Sequence, residues 1–227
     1  MAHSVLVIAD SGSGKSTSIR DLDPKETFII NIANKPLPFK GWKKNYTAIT
    51  KDNPKGNMAA TATAAGIMKA MMHVNDKMPH IKNLVIDDWQ YMSSFEYFDR
   101  ADEKGYDKFT SIAKNLAQVA KMPKDMRDDL YIFFLTHSEE STDVNGHRKV
   151  KAKTIGKMID NTLTLEGLFS IVLFGKVVKD ENDKLNYVFE TVNNGENTCK
   201  SPDGMFDDAR IDNSLKVVKD AIIEYEN

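Results

Sequence analysis

Short apolar runs recur along the chain, and several are separated by stretches with a helical period. Each run has the length of a β-strand and is rich in Val, Ile, Phe and Tyr. The runs are 4–9, 27–32, 83–87, 130–136, 168–178 and 185–192. Because several early runs are apolar throughout, they predict strands that are buried on both faces of a parallel sheet. The last two flank the polar turn KDENDK and predict an antiparallel hairpin at the edge of that sheet.

Helical patterns occupy the spaces between these strands. The segment STSIRDL follows the first run and stops at Pro24, and the Ala- and Met-rich stretch 57–76 is long enough for a helix. Residues 106–122 place apolar side chains on one face with a period of about 3.6 residues, and 214–226 repeat the pattern. Strands that alternate with helices predict one α/β domain over 1–227, with a mostly parallel central sheet covered on both faces.

Composition narrows the class of protein only slightly. The 227 residues are 41% hydrophobic and 28% charged, which is typical of a globular chain. The formal net charge of −2 gives no overall basic field, so contact with nucleic acid would need a local patch. Cys199 is the only cysteine, which excludes an internal disulfide and suits a reducing compartment. With no apolar run near the ~20 residues of a membrane span and no signal-peptide pattern, we expect a soluble cytoplasmic protein without membrane contact.

The stretch VLVIADSGSGKSTSIRDL has the order of strand, glycine loop and helix that a phosphate-binding loop requires, which argues against a chance linker. Gly12 and Gly14 allow the positive φ by which backbone N–H groups turn toward phosphates, and the helix that follows adds its dipole. Lys15 would reach the β- and γ-phosphates, and the Ser16 hydroxyl would bind Mg²⁺. Ala9 replaces the first glycine of G-x-x-x-x-G-K-[ST], which a strand end tolerates because it need not have positive φ. The predicted nucleotide-binding residues are Asp10, Ser11, Gly12, Ser13, Gly14, Lys15, Ser16 and Thr17.

Two later strands end in residues that could complete such a site. In KNLVIDDWQ, Asp87 would bind the metal or accept from a metal-bound water. Asp88 is a candidate general base or water-orienting residue; alternatively, it caps the helix that begins near Trp89. The strand in DDLYIFFLTHSEE delivers His137 to the same edge, where it would sense the γ-phosphate or serve only as a structural histidine.

Four segments together resemble the phage-encoded RecA-like P-loop ATPases, AAA-type nucleotide-binding proteins associated with recombination and single-strand annealing. They are GSGKSTSIRDLDPKETFIINIANKPLPFKG, LVIDDWQYM, FFLTHSEE and ENTCKSPDGMF, so the resemblance spans nearly the whole chain. It implies a three-layer P-loop NTPase with a RecA-like core, and a sensor strand between the glycine-loop strand and the Asp87 strand. It also implies ATP and Mg²⁺ as cofactors, homo-oligomers with ATP near a subunit boundary, and the host cytoplasm as location.

The chain departs from this family at one position of catalytic importance. RecA-like recombinases place a catalytic glutamate just after the second strand, but no acid lies between Phe28 and Pro38. Hydrolysis would therefore use Asp88 or another acid, and slow turnover is compatible with this gap. Lys200, in CKSP, stands where the wider family has lysines that reach the neighbouring subunit's γ-phosphate; the alternative is an exposed, solvated lysine.

A basic segment follows the sensor strand, where RecA-like proteins carry a mobile DNA-binding loop. The segment HRKVKAKTIGK contains no acid, and its cations could neutralise phosphates of single-stranded DNA. The cations are Arg148, Lys149, Lys151, Lys153 and Lys157. The alternative is a solvated loop, since acids precede the segment and it lacks aromatic residues for base stacking. By composition, 138–160 is the least structured part of the chain.

Three functions are compatible with these features. The first is an ATPase that acts with single-stranded DNA in phage recombination, annealing or replication. The second is a nucleotide-gated interaction module, such as a helicase loader, with little hydrolysis. The third is a small-molecule kinase, which the lack of an arginine-rich lid disfavours. The sequence leaves the choice between ATP and GTP open.

Overall fold

The computed structural model describes residues 1–142, 146, 148–155 and 163–227. The strands are β1 (His3–Ala9), β2 (Thr27–Asn31), β3 (Met58–Ala59), β4 (Asn83–Asp87), β5 (Tyr131–Thr142), β6 (Arg148–Ala152), β7 (Ile171–Lys179), β8 (Leu185–Glu190) and β9 (Arg210–Asp212). The α-helices are α1 (Trp42–Asn45), α2 (Ala64–Lys77), α3 (Gln90–Asp99), α4 (Asp107–Lys121) and α5 (Leu215–Glu226). Short 3₁₀ helices cover Ser16–Asp21, Met122–Asp125 and Leu165–Leu168. No helix within the described ranges is both long and apolar enough to cross a membrane.

The strands form one mixed sheet in the order β3-β2-β4-β5-β1-β7-β8-β9, and β6 pairs with the outer half of β5. The strands from β3 to β7 along this order run parallel; β8 is antiparallel to β7, and β9 is antiparallel to β8. This confirms the α/β class, the mostly parallel sheet and the β7–β8 hairpin. The order also places β5 between β4 and β1, as expected. The hairpin does not form the edge of the sheet, however, because β9 pairs with the outer side of β8.

Helices cover both faces of the sheet, an arrangement compatible with a three-layer α/β fold. On β5, Phe134 faces a layer built from α2, α3 and α4, whereas its neighbour Phe133 faces the layer that contains α5. Both rings are 0% exposed. Parallel strands that are buried on both faces explain why their sequences are apolar without alternation.

Two predicted helices differ from the structure. Residues 57–63 do not belong to α2, because Met58–Ala59 pair with β2 as a strand and Thr63 caps the helix by accepting a hydrogen bond from the Gly66 N–H at 3.1 Å. The segment after the glycine loop forms a 3₁₀ helix, Ser16–Asp21, and not an α-helix. The Ser18 hydroxyl donates to the Lys15 carbonyl at 2.6 Å, which occupies an acceptor in the first turn.

The region expected to be least structured contains a hairpin. β5 extends past the sheet to Thr142, and β6 pairs with this extension in antiparallel register from Ser138↔Ala152 to Thr142↔Arg148. Lys151 forms an ion pair with Glu139 across the hairpin at 3.2 Å. Polar residues predominate in the hairpin, although Ala152 is buried in the core and Val150 packs against it, so composition alone suggested a loop. Residues 143–145, 147 and 156–160 of the same region lie outside the described residues.

Candidate functional site

A cleft of about 680 Å³ opens at the carboxyl ends of the central parallel strands. This is the edge of an open α/β sheet at which ligands bind. One wall is the glycine loop, which we define as residues 10–15, with the first turn of the 3₁₀ helix after it. Lys35, Asp88, Tyr91 and His137 also line the cleft. We call the remaining side, formed by Leu185, Asn186, Tyr187 and Asn213, the far wall.

The glycine loop has the backbone conformation expected from its sequence. Gly12 and Gly14 have φ of +82° and +87°, which L-residues with side chains rarely adopt. The Ser13 N–H and hydroxyl both donate to the Asp10 carbonyl, at 3.3 and 2.7 Å, and tighten the turn. Ala9 fits at the end of β1 because its partner on β7 is Gly175, where a Cβ atom would stand 2.9 Å from Ala9 Cβ.

Two oxygen-bearing side chains meet directly behind the loop. The Ser16 hydroxyl donates to Asp87 Oδ1 at 2.7 Å, so the first turn after the loop is joined to the end of β4. Asp87 is 4% exposed. Burial and the adjacent Asp88 carboxylate raise the pKa of Asp87, although Lys15 and Ser16 oppose this rise. A nearby cation would therefore stabilise Asp87 in its ionised form.

Asp88 is the centre of a cluster of cations. It is 1% exposed, with φ of +60°, and its Oδ1 lies 3.0 Å from Lys15 Nζ and 3.5 Å from His137 Nε2. Its Oδ2 lies 2.5 Å from Lys35 Nζ. Burial alone would raise the pKa of Asp88, but His137, Lys15 and Lys35 together outweigh it and hold the pKa far below its usual range. The N-cap residue of α3 is Trp89, and no side chain caps this helix. The Asp88 carboxylate therefore binds the three side chains of the cluster and does not cap α3.

The backbone of His137 is fixed by a residue that the sequence did not indicate. The Gln90 side-chain oxygen accepts from the backbone N–H of His137 at 3.1 Å and from the Thr136 hydroxyl at 3.4 Å. The Tyr91 ring packs edge-on against the imidazole, with centroids 5.9 Å apart. Gln90 and Tyr91 follow Asp88 in the sequence, and that proximity was the signal that could have identified them.

The far wall contains further residues that the sequence did not indicate. A Cβ atom on Gly14 would lie 2.9 Å from Tyr187 Cδ1 and 3.1 Å from Asn213 Oδ1, so this wall packs directly on the glycine loop. Asn213 is 2% exposed, and its side-chain amide has no hydrogen-bond partner among the described residues. Tyr187 reaches the site because β8 pairs with β7, and Asn213 because it follows β9, which pairs with β8; no local sequence pattern predicts either pairing.

Four of the five predicted DNA-binding residues lie on β6 or directly after it, beside the cleft. Arg148 and Lys149 are exposed on β6, whereas Lys151 is engaged with Glu139. Lys153 is exposed, and its N–H donates to the His137 carbonyl at 2.8 Å, so the hairpin begins at the rim of the cleft. Lys157 lies outside the described residues.

Lys200 lies away from the cleft of its own chain. Its backbone pairs with Val172, which is level with Leu6 on β1, three residues before Ala9. The side chain is exposed, and its role in a neighbouring subunit stays a prediction.

The comparisons with known proteins add no further constraint to this geometry. Neither a family model nor a curated protein sequence matches the chain. We therefore infer the function from the residues of the cleft.

Proposed function

We propose that this protein is a P-loop NTPase with a RecA-like core that binds ATP with Mg²⁺ and hydrolyses it slowly. The observation that carries this proposal is the convergence, in one cleft, of Lys15, the Ser16–Asp87 pair and Asp88 beside a loop with two left-handed glycines. Such a loop with a lysine and a hydroxyl residue is suited to a polyphosphate, and carboxylates at the end of a neighbouring strand are suited to a cation.

The Ser16–Asp87 pair fits a magnesium ion. Mg²⁺ is usually held by one or two protein oxygens together with substrate phosphates and water, and these two side-chain oxygens lie 2.7 Å apart. When bound, the ion would neutralise charge on the β- and γ-phosphate oxygens. Lys15 would exchange its contact with Asp88 for the same phosphates.

Asp88 is suited to orient a water molecule near the γ-phosphate. Its strongly lowered pKa keeps it ionised at neutral pH but makes it a weak proton acceptor, because general bases work best with a pKa near the operating pH. Positioning is the larger part of catalysis in phosphoryl transfer, so a weak base still supports turnover. His137, held by Gln90, would sense the terminal phosphate beside it.

The hairpin supports a single-stranded DNA partner. Arg148 and Lys149 are exposed on β6. Directly after β6, the Lys153 N–H donates to the His137 carbonyl and so connects the hairpin to the cleft. DNA on the hairpin and nucleotide in the cleft would thus contact two ends of one element. We infer a role in phage recombination, annealing or replication, within a homo-oligomer in which Lys200 could reach the neighbouring site.

A second function, a nucleotide-gated switch with little hydrolysis, is favoured by one observation. No acidic residue after β2 takes the place of the glutamate that RecA-like recombinases use, and Lys35 occupies that region instead. The two functions differ in turnover and share the nucleotide site.

The test is ATP binding and turnover with and without single-stranded DNA, for the natural protein and for Lys15→Ala and Asp88→Asn. Loss of the Lys15 ammonium should weaken ATP binding about 10- to 100-fold, since a charge-assisted contact contributes ~1.5–3 kcal/mol. Asp88→Asn should bind ATP and lose turnover. Lys77→Ala, an exposed lysine at the end of α2, is the matched control.

Each result distinguishes the candidates. Turnover that rises with DNA and disappears in both variants would support the ATPase. Tight binding without turnover under any condition would support the switch. Binding that is unchanged in Lys15→Ala would contradict the nucleotide site itself.

A further inference from the structure

Lys35 is a second cation in the cleft and lies in the segment after β2, where RecA-like recombinases have an acid. Its ammonium lies 2.5 Å from Asp88 Oδ2 and 5.7 Å from the centroid of the Tyr91 ring. The partial burial of Lys35 lowers its pKa, but the contact with Asp88 outweighs this and raises the pKa above its usual value. The side chain therefore carries a full positive charge at neutral pH.

A buried asparagine fixes the backbone of Lys35. Asn31 is the last residue of β2 and is 3% exposed; its Nδ2 donates to the Lys35 carbonyl at 2.6 Å, and its Oδ1 accepts from the Lys35 N–H at 3.2 Å. Asn34 completes this turn with a left-handed φ of +50°. Because Asn31 is paired in register with Asp87, the turn holds Lys35 at a defined distance from the Asp87–Asp88 corner.

The side chain of Lys35 is more than half exposed, although its backbone is fixed. It is 56% exposed, whereas the Lys15 side chain is 7% exposed. Asp88 presents one oxygen to each ammonium, Oδ1 to Lys15 and Oδ2 to Lys35. A more highly charged anion in the cleft would compete with Asp88 for both cations.

We propose that Lys35 is a phosphate-contacting residue that exchanges between Asp88 and the terminal phosphate of a bound nucleoside triphosphate. This inference rests on the proposed function, because it requires the triphosphate to occupy the cleft. Transfer of Lys35 to the phosphate leaves Asp88 Oδ2 available to accept a hydrogen bond from water. A diphosphate lacks the group that attracts Lys35 and leaves the Asp88–Lys35 pair in place. The lysine therefore couples the presence of the γ-phosphate to the availability of Asp88.

The first experiment compares ATP and ADP affinity in Mg²⁺ by titration calorimetry for the natural protein, Lys35→Gln and Lys40→Gln. Lys40 is an exposed lysine in the same segment and does not line the cleft, so its variant is the matched control. Lys35→Gln should weaken ATP binding about 10- to 100-fold and leave ADP binding within about threefold. Equal loss for both nucleotides, or no loss, would overturn the proposal. Thermal unfolding verifies that both variants fold.

A second comparison separates contact with phosphate from neutralisation of Asp88. If Lys35 only shields the carboxylate, Lys35→Gln should have no effect on ATP affinity in an Asp88→Asn background, and the proposal fails. If Lys35 contacts the phosphate, the selective loss of ATP affinity persists in that background.

Failure of this inference and failure of the proposed function give different results. A natural protein that binds neither ATP nor ADP contradicts both. A natural protein that binds both nucleotides through Lys15, with ATP and ADP equally affected or unaffected by Lys35→Gln, contradicts only the role of Lys35.

Discussion

Gly14 is the residue at which the glycine loop contacts the far wall of the cleft. Its φ of +87° is a left-handed conformation, and a Cβ atom there would come within 2.9 Å of Tyr187 and 3.1 Å of Asn213. Gly12 has a similar φ of +82°, but a Cβ atom on it would meet no atom within 4 Å. The two glycines therefore share the same backbone requirement and differ in their surroundings.

We predict that Gly14→Ala lowers both stability and nucleotide affinity more than Gly12→Ala. Both substitutions add left-handed strain of about 1 kcal/mol, but only Gly14→Ala also pushes Tyr187 and Asn213 away from the loop. Thermal unfolding and ATP titration of the two variants provide the measurement. Equal losses in both would show that strain alone matters and that the wall does not depend on Gly14.

At the residue scale, the sequence predicted the side chains that follow strands and missed those brought in by turns. Asp88 and His137 each stand directly after an apolar run, and Lys15 ends the glycine loop that follows another, so their meeting followed from a parallel sheet. Lys35 was missed because its position depends on the hydrogen bonds of the Asn31 side chain, which hydrophobic patterning does not reveal.

The β5–β6 hairpin is the element that joins the cleft to an exposed basic surface. Its residues alternate across the pair, so that Glu139 opposes Lys151 and Ser141 opposes Lys149. Arg148, Lys149 and Lys153 are exposed as the basic patch requires, but the strand structure was missed, because only Val150 and Ala152 mark the apolar face of this short strand. Helix α2 shows the same limit, since its start is set by the Thr63 cap within a stretch of uniform composition.

We predict that Arg148→Gln together with Lys149→Gln weakens binding of single-stranded DNA and reduces its salt dependence. Two fewer phosphate contacts should lower the slope of log K against log[salt] by about 1.4. The measurement is a titration of a labelled oligonucleotide at several salt concentrations. Lys121→Gln with Lys124→Gln is the control, because these exposed lysines lie beside Pro123, which bonds the start of the chain at the opposite end of β1. An unchanged slope in the hairpin variant would exclude β6 from the DNA site.

At the scale of the whole molecule, one sheet supports both the cleft and the two helical layers. Strand β5 contributes to all three, because its side chains alternate between the layers and His137, level with the end of β1, faces the cleft. Beyond His137 the strand continues into the hairpin with β6. Trp89, next to Asp88, packs against Phe134 at 4.8 Å between ring centroids. The geometry of the cleft is thus coupled to the packing of the core.

We predict that the two layers unfold together, because each packs on the same strands. Phe133→Ala and Phe134→Ala each remove a fully buried ring and should each cost about 3–5 kcal/mol. Urea unfolding followed by circular dichroism, and by Trp89 fluorescence in a Trp42→Phe background, should show coincident midpoints that move together in both variants. Trp89 belongs to the Phe134 layer, so Phe133→Ala tests whether damage to one layer is felt in the other. A fluorescence midpoint that stays unchanged in Phe133→Ala would show that the layers are independent, and that the cleft is stabilised by only one of them.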